Sequence, residues 1–302
     1  MSISKKVIQY IKNPYKFINY LGVKGKLNFI SDELYLKLIY RARVGEKLNL
    51  KNPQNLTEKM QWQKLYDRKE IYHNYVDKFL VRDVIKEKIG EEYLIPLIKV
   101  YDNQKQINWD ELPDKFVLKA THTSGDVIVC KDKNKLDIDE ANDMIEKWYK
   151  RDYYPISREW PYKGLKPRVV CEEFLSDEGS VPLDYKIMCF NGKPETIEVN
   201  KGRFINHTIE IYDTQWNKLN VYTDDYGYVE TLTPKPEKLD EILEIAKKLS
   251  EGLIQCRIDL YYVNNKIYFS EITFFSGAGF DSYKPESFDK YLSDKFVIPE
   301  RI

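Results

Sequence analysis

The sequence predicts an α+β chain, in which a helical N-terminal region leads into antiparallel hairpins. Tyr-, Ile- and Val-rich runs come in pairs around short turn signals, Asn191-Gly192 and Asn264-Asn265. Asn and Gly tolerate the left-handed backbone that a tight hairpin turn requires. Between the hairpins, apolar residues recur at helical spacing, as in Ile138, Ala141, Met144, Ile145 and Trp148.

The chain has 302 residues, enough to bury a core spread over two or three lobes. Lys plus Arg and Asp plus Glu number 48 each, so global charge points to no nucleic-acid partner, and 14% aromatic residues argue against disorder. Cys130, Cys171, Cys189 and Cys256 lie far apart in apolar runs with no metal-type spacing. They read as buried free thiols in a reducing compartment. No apolar run approaches the roughly 18 residues of a spanning helix, so a cytoplasmic protein is expected. Before Asp32 there are six lysines and no acid, on a segment where Val7, Ile8, Ile11, Phe17, Ile18 and Leu21 recur at helical spacing. Such a segment can pack on the body of the protein or touch the inner face of an anionic membrane.

Residues 1–50 read as short helices broken at Pro14 and around Gly22 and Gly25. A helix over 55–72 follows, then one from Lys78 to Lys88 capped by Asp77 and stopped at Gly90. From Phe116 the texture changes. Residues 116–120 and 127–130 are strands around the turn His122-Thr123-Ser124-Gly125-Asp126. Helix 137–150 comes next, then a dense aromatic and basic stretch from Arg151 to Arg168. That stretch contains Arg158 and Trp160, which can bind an anionic sugar or pack as a connector. Val169–Leu175 is a strand ending in acids, and Asp184–Phe190 pairs with Glu195–Asn200. Leu239–Leu249 is an amphipathic helix, and the hairpin around Asn264-Asn265 closes the series.

That last hairpin carries the chemistry. Asp259 and Glu271 lie near the strand ends away from the turn, and Ser276-Gly277-Ala278-Gly279 follows at once. Two carboxylates beside a backbone-exposing loop suit Mg²⁺ and phosphate. Side chains alternate faces along a strand, so a strict two-residue turn would pair Asp259 with Ser270. The metal reading therefore requires an odd-length loop or a bulge. Upstream, Lys119 precedes a Gly-containing turn that can close over phosphates, and alternation puts Asp184 and Lys186 on one face.

The order of these parts resembles the ATP-grasp superfamily, and more closely the TupA-like ATP-grasp family of teichuronopeptide and surface-polysaccharide clusters. The resemblance spans roughly residues 50–300. It rests on Leu56-Thr57-Glu58-Lys59-Met60-Gln61-Trp62, Val76-Asp77-Lys78 with Val81-Arg82, Leu112 to Lys119, His122 with Ser124-Gly125, Arg158-Glu159-Trp160-Pro161-Tyr162, Asp184-Tyr185-Lys186, Phe190 to Pro194, and Arg257 to Tyr261.

The resemblance implies two α+β lobes gripping ATP between antiparallel sheets. The divisions expected are a helical region over 1–75, a lead-in over 76–115, a small lobe over 116–175 and a metal-bearing lobe over 176–302. It implies ATP and Mg²⁺ as cofactors and a ligase joining a carboxylate to an amine through an acyl phosphate. Lys78 and Lys119 would hold phosphates under a Ser124-Gly125 flap. Glu172, Glu173, Phe174 and Leu175 would form the adenine hinge, with Asp184 at ribose and Lys186 at phosphate. Arg203 is a further phosphate candidate. Asp259, Glu271 and Thr273 would hold metal, and Arg257 would face the acyl centre with the backbone of Gly277 and Gly279. Arg158 and Trp160 would meet the second substrate.

Two features depart from the superfamily pattern. Thr273 stands where Asn is usual, and the flap has one Gly, flanked by Asp126. A sugar kinase would use the same ATP site without Arg257 at an acyl centre. A glycosyltransferase would need a D-x-D metal motif, and Asp137-Ile138-Asp139 reads instead as a helix cap. A nucleotide-binding scaffold without activity is the remaining alternative.

Overall fold

The computed structural model describes residues 14–176, 182–202, 207–223 and 228–300. Arg203 and the N-terminal segment before Pro14 lie outside the described residues. The chain begins with α1 (Pro14–Val23) and α2 (Asp32–Arg43), the latter capped by the Ser31 hydroxyl. Next come α3 (Leu56–Tyr66), α4 (Ile71–Val76) and α5 (Val81–Lys88). The single helix expected over 55–72 is broken. Asp67 leaves helical geometry and its carboxylate accepts the Tyr72 hydroxyl at 2.9 and 3.1 Å, which turns the chain between α3 and α4. The start of α3 is fixed by a capping box, Asn55 with Glu58, that satisfies its first amides. Asp77 acts as expected near the head of α5, although the helix begins at Val81. Its Oδ1 accepts from the amides of Phe79 and Leu80.

The small lobe is an antiparallel sheet of β1 (Leu97–Tyr101), β2 (Phe116–Ala120), β3 (Val127–Cys130) and β4 (Val169–Glu173), in the order β1-β4-β2-β3. Helix α6 (Ile138–Tyr149) packs on it through Ala141, Ile145 and Trp148. Asp137 accepts from the amide of Glu140, so the Asp137-Ile138-Asp139 run is a helix cap, as expected. A short α7 (Tyr154–Ser157) lies between α6 and β4.

The large lobe is a sheet of β5 (Leu183–Phe190), β6 (Lys193–Lys201), β7 (Thr208–Asp213), β9 (Gln255–Val263) and β10 (Lys266–Thr273), in the order β10-β9-β5-β6-β7. All its pairs are antiparallel. One face carries Ile187, Ile197, Val199, Ile258 and Leu260, buried with Ile242, Ile245 and Leu249 of α8 (Leu239–Ser250). Alternation then turns Asp184, Lys186, Arg257 and Asp259 to the other face. A two-stranded ribbon of β8 (Tyr222–Thr223) and β11 (Tyr283–Lys284), and a last helix α9 (Glu286–Lys295), complete the fold. Lys59 of α3 donates to the carbonyls of Ser293 and Phe296, tying α9 to the N-terminal helices.

The outer strand β7 is anchored by Glu210. Its buried carboxylate accepts from Lys201, Tyr212, Thr231 and both the amide and hydroxyl of Thr233, all within 2.5–2.8 Å. Burial alone would raise its pKa. The Lys201, Tyr212 and threonine hydrogen bonds outweigh that and bring it down to about 2. A drop of this size below the unfolded value is worth about 3 kcal/mol. That stability is complete above the unfolded carboxylate's range, near pH 4.3, and is lost as pH falls through about 2. Glu210→Gln should therefore unfold in urea about 3 kcal/mol more easily at neutral pH, with the gap to wild type closing below about pH 3. A constant gap across that range would refute the assignment.

All four cysteines are buried and free. Among the described residues, no helix is long and apolar enough to cross a membrane.

Candidate active site

The β9–β10 turn has two residues, with Asn264 and Asn265 at φ 51° and 58°, and Val263 pairs with Lys266. That turn alone would set Asp259 against Ser270. A bulge between Phe269 and Glu271 absorbs one residue, so that Glu271 faces Asp259 directly and Thr273 faces Arg257. The register that the two carboxylates require is thus made by the bulge.

Asp259 is 1% exposed and is held by two cations. Arg257 grips it bidentately, Nε to Oδ1 at 2.7 Å and Nη2 to Oδ2 at 2.7 Å. Lys186 donates to Oδ2 at 2.7 Å and also contacts Asp184 at 2.9 Å. Burial alone would raise the Asp259 carboxyl, but Arg257 and Lys186 together hold it below its ordinary value. Burial would likewise lower Lys186 and Arg257, and the acids around them, Asp259 above all, raise both instead. Asp184 moves the other way: its burial is only partly offset by Lys186, so its pKa is raised. Glu271 is the accessible carboxylate, its side chain 37% exposed, with the Thr273 hydroxyl donating to it at 3.3 Å.

The donor set across β9 and β10 is all oxygen, which is what Mg²⁺ takes. A carboxylate offers about four acceptor positions, and the protein's cations use three on Asp259. One remains there, beside the accessible Glu271. The residues fit a Mg²⁺ ion completed by ligand oxygens. Among the described residues, no group of three His, Cys, Asp or Glu side chains could hold a metal by itself.

The fourth contact of this centre is Ser276, which accepts from Arg257 Nη1 at 2.6 Å and donates to Asp281 at 2.6 Å. It opens the glycine loop, in which Gly277, Ala278 and Gly279 all have φ between 55° and 72°. A Cβ on Gly277 would overlap the Asp281 carboxylate, so glycine is needed there for space as well as for φ. Below the loop, the buried Lys64 donates to the carbonyls of Ala278 at 2.7 Å and Ser157 at 3.0 Å. Burial pushes Lys64 down to about 7, although Glu159 opposes this. Gly277→Ala should lower turnover at least about tenfold by displacing Asp281 and with it Ser276. An unchanged kcat would detach the loop from the chemistry.

The small lobe and the head of α5 supply the second wall. Lys78, Arg82, Lys119 and Glu172 face Phe269 and Ser270 across a narrow crevice between the sheets. Glu172 bridges Lys119 at 2.7 Å and Arg82 at 3.3 Å, and Lys78 donates to the Thr123 carbonyl at 2.7 Å. Burial would lower Lys119, but Glu172 and neighbouring groups raise it, whereas for Lys78 burial prevails and its pKa falls. The backbone of Glu172 and Glu173 is committed to the sheet, where Glu172 pairs with Leu97 and Val117 and Glu173 with Phe116. The expected strand to Leu175 stops at Glu173, so Phe174 and Leu175 lie beyond the sheet. Ser124 and Gly125 form the exposed tip between β2 and β3, and Gly125 has φ 82°. Asp126, the acid beside the flap, is gripped by Arg151 Nη1 at 2.6 and 2.8 Å, which removes its repulsion toward an anion.

Two expected substrate residues are placed elsewhere. Arg158 is 4% exposed, donates to the Leu27 carbonyl, pairs with Asp32 and lies over the Tyr35 ring. It fastens the N-terminal helices to the connector before β4. Trp160 packs against His73, Arg68 and Lys163. His122 is buried, with Nε2 against the Trp148 carbonyl at 2.9 Å, which gives it a structural role in the turn. His73 and His207 meet the Pro161 carbonyl and Asn200 respectively. Residues to which the sequence reading gave no role of their own include Arg82, Ser276 and Glu198. Glu198 faces Lys186 across β5 and β6 and accepts from Asn200 at 2.7 Å. Ser276 could have been found from its place at the head of the glycine loop.

Residues 58–297 match the family described as TupA-like ATPgrasp. No curated protein matches the chain. Among solved structures, the chain is similar to the D-alanine–D-alanine ligase of Bacillus anthracis complexed with ATP, at 15% identity and TM-score 0.38, over 66% of this chain and 52% of that one. It is also similar to the L-amino acid ligase of Bacillus licheniformis, at 12% identity and TM-score 0.45, over 84% of this chain and 55% of that one. A third is the N5-carboxyaminoimidazole synthase of Aspergillus clavatus in complex with ADP and 5-aminoimidazole ribonucleotide, at 12% identity and TM-score 0.39, over 70% and 46%. The chain thus spans about half the length of these structures.

Proposed function

We propose, from the premise that the chain belongs to the TupA-like ATP-grasp family, that it is an ATP-dependent carboxylate–amine ligase. The observation that carries this reading is Arg257, shared between Asp259 and the Ser276 loop at the mouth of a two-carboxylate site. The crevice between Lys119 and Phe269 has room for about 10 Å³ as it stands, so ATP would enter as the two walls part, with Lys78 and Lys119 toward its phosphates and the Ser124-Gly125 tip over them. Bound Mg²⁺, held by Asp259 and Glu271 with Thr273 near it, would neutralise phosphate charge. A substrate carboxylate attacks the γ-phosphorus and ADP leaves. An amine then attacks the acyl carbon, and phosphate leaves with formation of the amide. The protein supplies no nucleophile. Arg257 and the glycine-loop amides would stabilise the oxyanion at the acyl carbon, and Lys186 holds Asp259 in place, so catalysis is positioning and electrostatics.

For substrates we propose an amino acid or other amine and the uronate carboxyl of a bacterial surface-polysaccharide precursor. The support is the family's motif set. The lysines before Asp32 would allow peripheral contact with the inner face of a membrane.

The test is product analysis with ATP, Mg²⁺ and paired pools of uronates and amines. ADP and phosphate should appear together, and only with both pools present. AMP with pyrophosphate would exclude the acyl-phosphate route, and ADP without free phosphate would mean phosphoryl transfer to a substrate hydroxyl.

A further inference from the structure

Between α6 and β4 the chain leaves an open cleft with room for about 330 Å³, lined by Tyr149, Arg151, Tyr153, Tyr162 and Gly164. The proposed phosphate site does not use it. All three tyrosines are partly exposed, and the rings of Tyr153 and Tyr162 meet at 4.7 Å and 58°. The two cations that line the cleft each have an acid partner: Arg151 donates through Nη1 to both carboxylate oxygens of Asp126, and Lys150 is paired with Glu146. The lining carboxylate of Asp152 accepts from the Tyr154 amide. His122 faces the cleft with its Nε2 engaged by the Trp148 carbonyl, and burial pushes its pKa down. Among the described residues that line it, neither cation is without an acid, which disfavours a phosphate relative to a neutral ring. Tyrosine faces suit the C–H face of a saccharide ring, and an oriented Arg–Asp pair offers its hydroxyls donors and acceptors.

The cleft is joined to the flap of the proposed active site through Arg151, which lines the cleft and also holds Asp126 beside the flap tip. Tyr162 and Leu165, also in its lining, pack against the core of the large lobe.

We infer that this cleft binds a saccharide ring of the second substrate, and that its occupancy reaches the Ser124-Gly125 flap through the Arg151–Asp126 contact. The term second substrate rests on the ligase reading; saccharide binding and its coupling to nucleotide do not.

The experiment is saturation-transfer NMR on the full chain with maltose, digalacturonate and inorganic phosphate as probes, with and without Mg²⁺ and ADP. Gly164 has φ 71° and open space around its Cβ. Gly164→Asn, which suits that backbone, should fill the cleft without unfolding the chain. Gly164→Asn and Tyr162→Ala should each weaken saccharide binding at least about tenfold and leave ADP affinity unchanged. In wild type, saccharide should shift the ADP affinity at least about threefold, and in Arg151→Gln that response should vanish. Three results would overturn the inference: no saturation of either saccharide, displacement of both by phosphate, or wild-type binding in both cleft variants. An ADP response that survives in Arg151→Gln would overturn the coupling. A chain that binds saccharide but releases no ADP keeps this cleft and loses the ligase reading, and one that turns over with the cleft filled does the reverse.

Discussion

Asp259→Asn should abolish turnover, with ADP release falling by about a thousandfold or more. Asp259 accepts three charge-assisted hydrogen bonds from Arg257 and Lys186 and is 1% exposed. The amide keeps the shape but removes the charge that both cations share, and it points an N–H₂ at one of them. Removing one side of such a buried set costs about 3–5 kcal/mol, because the remaining charges have no solvent to turn to. Some of that loss will appear as a lower melting temperature, so the rate must be normalised to folded protein by near-UV circular dichroism. Asp184→Asn serves as the comparison. It too lies beside Lys186, but Arg257 does not grip it, so its effect on rate should be smaller. Asp259→Asn turning over within tenfold of wild type would remove the metal and acyl centre from β9 altogether.

The two hairpins show how much of this site was legible in the sequence. Asn264-Asn265 and Asn191-Gly192 mark both turns, and the composition of the flanking runs marks the strands. Register was not legible. Counting back from the β9–β10 turn pairs Asp259 with Ser270, and counting back from the β5–β6 turn pairs Lys186 with Ile197. In both cases a bulge shifts the partner by one residue, to Glu271 and to Glu198. For the first hairpin, the demand for a bulge or odd loop followed from the chemistry, and the structure meets it. For the second there was no such demand, and Glu198 went unnoticed. The bulges depend on how the strands twist against the sheet as a whole, which no local pattern encodes. The same limit explains Arg158: an arginine among aromatics reads alike whether it faces a ligand or a distant helix. Only tertiary contact with Leu27, Asp32 and Tyr35 decides the matter. Helix ends fared better where a cap was local, as at Asp137, and worse where Asp67 turned the chain by taking a hydroxyl five residues away.

Arg257→Lys tests the proposed chemistry most sharply, because it keeps the charge and removes the geometry. The guanidinium makes two parallel bonds to Asp259 and a third to Ser276. An ammonium on a flexible stem is a point charge and cannot hold both partners in a fixed fork. Turnover should fall by about 10²–10³-fold, the range expected for losing one preorganised donor at an oxyanion. KM for ATP should change little, since the crevice between Lys119 and Phe269 is untouched. The acid side of the pH–rate profile offers a second readout. Asp259 is held below its ordinary value by Arg257 and Lys186 against the effect of burial. Weakening the Arg257 clamp lets that pKa rise, so the acid limb should move to higher pH in Arg257→Lys. Asp259 must be ionised to act, so activity is lost as pH falls through the folded pKa, and a raised pKa brings that loss on earlier. If KM for ATP rose instead, with kcat and the acid limb unchanged, Arg257 would belong to nucleotide binding, and the acyl-phosphate reading would lose the residue on which it chiefly depends.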